Sequence, residues 1–195
     1  MHEITKSFEI RRNNDLSIDS WRALFNSVKE QCTKINKDLP KLIEANLIDV
    51  EKNWPKDLPS GIIHADLFSD NIFFQNKKFN GIIDFYFSCN DFYSFEIAIC
   101  FNALCFDGHK HNLSFNVTKA KNFIDGYSSI RPLLDREKES IKVLSQGAAL
   151  RFLLTRVFDA LNTVEGAIVK VKDPLEYLKR LEFHKNSKNY EDYFF

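Results

Sequence analysis

The sequence predicts a mainly α-helical chain built around one small β-hairpin. Two apolar, β-rich runs at 72–74 and 79–87 flank a short polar turn, with Gly81 on its far side, which is the pattern of a hairpin. On either side of them, apolar residues recur at helical spacing over long stretches. A nearly all-apolar stretch at 92–106 has the character of a helix buried on every side.

The elements follow in order. Residues 1–14 mix charges without a period and read as an extended connector. Ser17 is placed to cap a first helix whose Trp21, Leu24, Phe25 and Val28 share one face. A second helix is expected over 40–53, and Pro55 and Pro59 stop it and deliver the chain to a loop. After the hairpin and the central helix, Asn116 caps a helix running to Gly126. A long helix is expected over 135–162, in which Gly147 marks a bend or a close helix contact. Pro174 opens a last helix carrying Leu175, Leu178 and Leu181. No repeat or low-complexity linker interrupts the 195 residues, so one domain, 1–195, is expected.

Composition narrows the classes of function. Hydrophobic residues make up 44% and charged residues 28%, a globular balance. Lys plus Arg and Asp plus Glu both number 27, so no global field attracts polyanions, and neither nucleic acid nor a membrane is an expected partner. The longest apolar helical stretch, 97–106, contains Asn102 and is too short for a bilayer. Cys32, Cys89, Cys100 and Cys105 form no C-x-x-C pair, and with no apolar leader they read as free thiols of a cytoplasmic protein.

The chemistry is concentrated at 62–87, read as IIHADLFSDNIFFQNKKFNGIIDFYF. Asp84 stands inside the apolar second run. A bare carboxylate in such a run costs several kcal/mol, so a cationic partner is expected. Asp66 and Asn71 have the D-x-x-x-x-N spacing of the kinase catalytic loop, in which the Asp receives a hydroxyl proton and the Asn holds magnesium. By itself that spacing is weak, and Asp66 alone reads sooner as an Asx-turn residue than as a catalytic one. With the loop, the hairpin and Asp84 in order, the phosphoryl-transfer reading takes precedence.

His64-Ala65-Asp66 in place of His-Arg-Asp, and Asp84-Phe85-Tyr86 in place of Asp-Phe-Gly, resemble the aminoglycoside phosphotransferase and choline kinase superfamily of small-molecule kinases. The longer string HADLFSDNIFF…GIIDFYFSCNDFYSFEIAICFNALCFD is similar to the homoserine kinases within it. Further agreement lies at Phe115 to Thr118, Leu150 to Phe152, Thr155-Arg156, Leu161 to Thr163 and Lys172 to Tyr177.

The resemblance implies the C-terminal lobe of a protein-kinase-like α+β fold. Nothing before Asp66 offers five strands or a glycine-rich loop, and the chain holds six glycines. The N-terminal nucleotide lobe is thus absent from these residues and expected upstream. It implies ATP-dependent phosphorylation of L-homoserine to O-phospho-L-homoserine in threonine biosynthesis, with Mg2+ as cofactor. Asp66 is then the proton acceptor, His64 a catalytic-loop residue that braces by hydrogen bonds more than it moves a proton, and Asn71 and Asp84 the magnesium and nucleotide ligands. Glu96 stands near where the superfamily places an Asp that holds the loop backbone.

A zwitterionic amino-acid alcohol needs a cation for its carboxylate and an acid for its ammonium. Arg151 and Arg156, in an apolar helix, fit either that task or structural ion pairs with Asp159 or Glu165; Tyr86 and Asp91 are placed to face the substrate. Two alternatives stand beside homoserine phosphorylation. One is a related kinase for choline, an aminoglycoside or a methylthio-sugar, and the other is a non-catalytic remnant or binding module.

Overall fold

The computed structural model describes residues 1–108, 112–163 and 172–193, and Glu165 lies outside them. Six helices dominate: α1 (Ile18–Val28), α2 (Leu39–Asn53), α3 (Tyr93–Leu104), α4 (Val117–Ser128), α5 (Asp135–Asn162) and α6 (Leu175–Asn186). Six short strands, β1 (Ser60–Ile63), β2 (Ile72–Gln75), β3 (Lys78–Ile82), β4 (Cys89–Phe92), β5 (Phe106–Asp107) and β6 (Ser114–Phe115), pair antiparallel as β1–β4, β2–β3 and β5–β6. The mainly helical class with a small hairpin stands. Strands β1 and β4 add a second ribbon that four-residue segments are too short to announce by alternation.

Local chemistry sets the helix ends. Asn116 caps α4, its side-chain oxygen accepting from the Lys119 amide at 2.9 Å. Ser17 holds the cap position of α1 without a side-chain bond. Pro40 lies in the first turn of α2, where its missing N–H costs nothing.

Helix α3 is buried almost throughout because α5, β1 and β4 pack around it, and α1, α2 and α6 pack on α5. The larger core contains Trp21, Phe25, Leu47, Phe95, Leu153 and Tyr177; a second contains Ile97, Phe101, Ile141 and Tyr193. Gly147 marks a close contact: a Cβ there would stand 2.3 Å from the Trp54 ring and 3.0 Å from that of Trp21. No helix among the described residues is long and apolar enough to cross a membrane. The four cysteines are buried free thiols.

Three expectations are corrected. The second hairpin run does not stay extended to residue 87: β3 ends at Ile82, Asp84 is left-handed (φ 63°), and Phe85–Phe87 form a 3-10 turn. Asp tolerates that conformation, and the reversal brings its carboxylate to the surface instead of into the sheet. The apolar runs of the hairpin are not buried, since Phe73, Phe74, Phe79 and Phe85 are between about half and two-thirds exposed on the hairpin and the turn after it. The first residues are not merely a connector: Ile4–Ser7 is a 3-10 turn, and Asn13 bridges to Asn90.

Candidate active site

The catalytic-type loop leaves β1 at Ile63 and reverses at Ala65, whose φ of 65° is left-handed. For an alanine that conformation costs roughly 1–2 kcal/mol and persists only where surroundings over-determine it. Two side chains do so. From α3, Glu96 Oε2 accepts the amides of His64 and of Ala65, the latter at 3.0 Å. From α5, Arg151 Nη1 donates to the Ala65 carbonyl. Glu96 thus holds the loop backbone through its amides.

His64 is fully buried with both ring nitrogens engaged. Its Nδ1 accepts the Asp66 amide at 3.3 Å and its Nε2–H donates to the Ile83 carbonyl at 2.9 Å. Ile83 in turn donates its amide to Asn71 at 3.1 Å, which ties the end of the loop to the residue before Asp84. Asn71 Nδ2 donates to the Asp66 carbonyl at 2.9 Å and so leaves the amide oxygen unengaged.

Asp66, Asn71 and Asp84 line one open cleft of about 690 Å³, whose other wall is α5 with Arg151 and Arg156, and Lys172. Burial raises the Asp66 carboxyl above the ordinary range, opposed by the charges of Arg151, His64 and Lys172. Burial likewise raises Glu96, against the Ala65 amide and His64, and lowers Arg151, against Asp66.

No Lys, Arg or His side chain of the described residues pairs with Asp84. Its carboxylate makes no hydrogen bond or ion pair among the described residues, and no group of three His, Cys, Asp or Glu side chains there has metal-holding geometry. Asp84 and the free amide oxygen of Asn71 are hard oxygen donors on the same cleft, a set that suits an ion retaining most of its waters.

The four proposed substrate residues separate. Arg151 and Arg156 both line the cleft, but Arg151 gives its Nη1 to the Ala65 carbonyl, and its buried Nε has no partner among the described residues. Arg156 bonds Glu176 at 3.1 Å and the Asp173 carbonyl at 2.9 Å over the Tyr177 ring. Its ion-pair partner is therefore Glu176, not Asp159, because α6 packs against that face of α5. Tyr86 and Asp91 lie away from the cleft lining. The Tyr86 carbonyl receives Arg12, and Asp91 receives the Asn14 side chain at 2.7 Å. Burial raises Asp91, against that bond. Lys172, which also lines the cleft, went unselected because a lone lysine ahead of a proline-started helix carries no periodic signal.

A helical scaffold that presents an H-x-D loop, an asparagine and the carboxylate that follows the hairpin on one cleft has the arrangement of the kinase-like phosphotransferase class. The profile of the phosphotransferase enzyme family (APH) matches residues 1–133, and the chain belongs to that family. It is 46% identical over 193 residues to the homoserine kinase of Agrobacterium fabrum and 48% identical over 193 residues to that of Xanthobacter autotrophicus. Each alignment covers 99% of this chain and 59% of the relative. The homoserine kinase of Rhodospirillum rubrum is 48% identical over 174 residues, 89% of this chain and 53% of the relative. The chain thus spans somewhat more than half the length of the curated relatives it matches.

Proposed function

We propose that this chain is the catalytic C-terminal lobe of a homoserine kinase, transferring the terminal phosphoryl group of ATP to the hydroxyl of L-homoserine. The observation that carries the reading is the convergence of Asp66, Asn71 and Asp84 on one cleft, with the loop locked by Glu96 and Arg151. The similarity to homoserine kinases over almost the whole chain supports the choice of substrate.

Asp66 orients the substrate hydroxyl and takes its proton as the oxygen bonds to phosphorus and the bond to the ADP oxygen breaks. A carboxyl raised by burial is the better proton acceptor for it. His64 braces the loop, and Glu96 fixes its backbone. Asn71 and Asp84 would hold magnesium, which neutralises charge on the phosphates when bound. Because the work is positioning, a loop that cannot relax is an asset. The exposed rings of Phe74 and Phe79, which meet edge-on with centroids 6.2 Å apart across the hairpin, are the surface we assign to the nucleotide lobe expected upstream. The reading puts the protein in the cytoplasm, at a step of threonine synthesis.

The test uses this chain fused behind the N-terminal part of the Agrobacterium fabrum relative that it does not match, assayed with ATP against L-homoserine, choline and an aminoglycoside. Turnover is expected with L-homoserine, falling about a hundred-fold or more in Asp66→Asn. An undiminished Asp66→Asn enzyme would end the assigned role, and preference for choline would end the substrate assignment.

A further inference from the structure

Among the described residues the cleft contains three cations, and the structure distinguishes them by what they already do. Arg151 is 2% exposed beneath the loop, with Nη1 given to Ala65 and its guanidinium over the Phe152 ring at 4.5 Å. Arg156 is held by Glu176 and the Asp173 carbonyl. Lys172 is exposed on the cleft wall and makes no ion pair or hydrogen bond among the described residues.

Its position is not that of a loose surface lysine. Nζ lies 5.3 Å from the centre of the Phe68 ring, within the range of a cation–π contact. Phe68 is two residues beyond Asp66 on the same loop. It stands edge-on to Phe152 of α5, centroids 5.1 Å apart, so its ring is fixed between the loop and the helix. A ring face leaves the ammonium's three donors unsatisfied, so Lys172 is both placed and available. It is close enough to Asp66 to oppose the effect of burial on that carboxyl.

We propose that Lys172 is the specificity-determining cation of this site and receives the carboxylate of the amino-acid alcohol; this rests on the homoserine reading. Held over Phe68, the ammonium anchors the far end of a short substrate whose hydroxyl reaches Asp66. A point charge on a flexible stem suits a carboxylate that must enter and leave each turnover, whereas Arg151 is held in place by its Nη1 bond to Ala65 and Arg156 by its Nη1 bonds to Glu176 and Asp173. An alcohol without an anionic group gains nothing from Lys172, so the residue separates amino-acid alcohols from aminoalcohols of the same length.

The test is calorimetric titration of the 195-residue chain with L-homoserine, with 3-aminopropan-1-ol, which lacks only the carboxylate, and with 4-hydroxybutyrate. Wild type, Lys172→Met and Lys172→Arg are compared; circular dichroism checks folding, which an exposed side chain should not disturb. Wild type is expected to bind L-homoserine at least about ten-fold more tightly than the aminoalcohol, a difference of about 1.4 kcal/mol. Lys172→Met should abolish that preference and Lys172→Arg should restore most of it. A preference that survives in Lys172→Met overturns the inference, as does the lack of any carboxylate-dependent binding by wild type. A Lys172-dependent preference for 4-hydroxybutyrate without one for L-homoserine keeps the cation and removes the homoserine reading, which turnover of the fused enzyme with L-homoserine against choline judges separately.

Discussion

The same substitution, glycine to alanine, should have opposite signs at two helical positions. In a helix interior it is worth about 0.8–1 kcal/mol in the alanine's favour. Gly126 in α4 has nothing within 4 Å of where a Cβ would sit, so the whole gain should appear. At Gly147 in α5 the new carbon would fall 2.3 Å from Trp54 Cζ3, 2.9 Å from Cη2 and 3.0 Å from Trp21 Cη2. To reach ordinary contact the Trp54 ring must retreat by about 1 Å, and overpacking of this kind costs roughly 1–3 kcal/mol. The upper part of that range applies, because Trp21 is fully buried and stands edge-on to Trp54, which in turn abuts Phe95. Net of the propensity gain, Gly147→Ala should lose about 1–2 kcal/mol, or about 2–8 °C in Tm, and Gly126→Ala should gain about 1 kcal/mol, or about 2–4 °C. Urea and thermal unfolding of both variants measure this. A Gly147→Ala protein as stable as wild type would refute the reasoning. The site is linked to the result, since Arg151 lies one turn further along α5 and holds Ala65.

Two further predictions follow from the buried polar groups. Glu96→Gln keeps an oxygen for the amides of His64 and Ala65, whereas Glu96→Ala orphans both, so the alanine variant should be less stable than the glutamine variant by about 2 kcal/mol or more in urea unfolding; equal stabilities would contradict the account of the loop. His2 is lowered to about 4 and His184 to about 3, chiefly by burial, from 6.5. The unfolded chain therefore takes up their protons first. Their stabilisation is complete above about pH 6.5 and is lost as pH falls towards the folded values, by about 1.4 kcal/mol per histidine between pH 7.5 and 5.5. The raised carboxyls of Asp66, Asp91 and Glu96 oppose the trend. The informative measurement is thus the change in slope on His2→Gln, which should remove one histidine's share; an unchanged slope would show that His2 is not held neutral.

The helices were legible because each carries its own apolar period and end signals, from the Trp21-Leu24-Phe25-Val28 face to the Asn116 cap. The order Asp66, Asn71, Asp84 was equally plain, since a loop followed by a hairpin preserves spacing from sequence into space. Strands β1 and β4 were not, because four residues give too little alternation and their pairing joins segments far apart in the chain. The expectation of a buried, paired Asp84 treated its run as continuous strand; a single left-handed residue reversed the direction of the side chain, and no local pattern encodes that.

Sequence by itself determined which residue types stand at which spacing, and hence the phosphotransferase family and the loop proposed to carry the chemistry. Only the tertiary structure decided how each charge is used: Arg151 under Ala65, Arg156 against Glu176, Asp91 on the first residues, and Lys172 left over in the cleft. The physical reason is that a charge's role depends on its partners and on water. For these side chains the partners come from segments brought together by burial of the apolar core, not from neighbours in the chain.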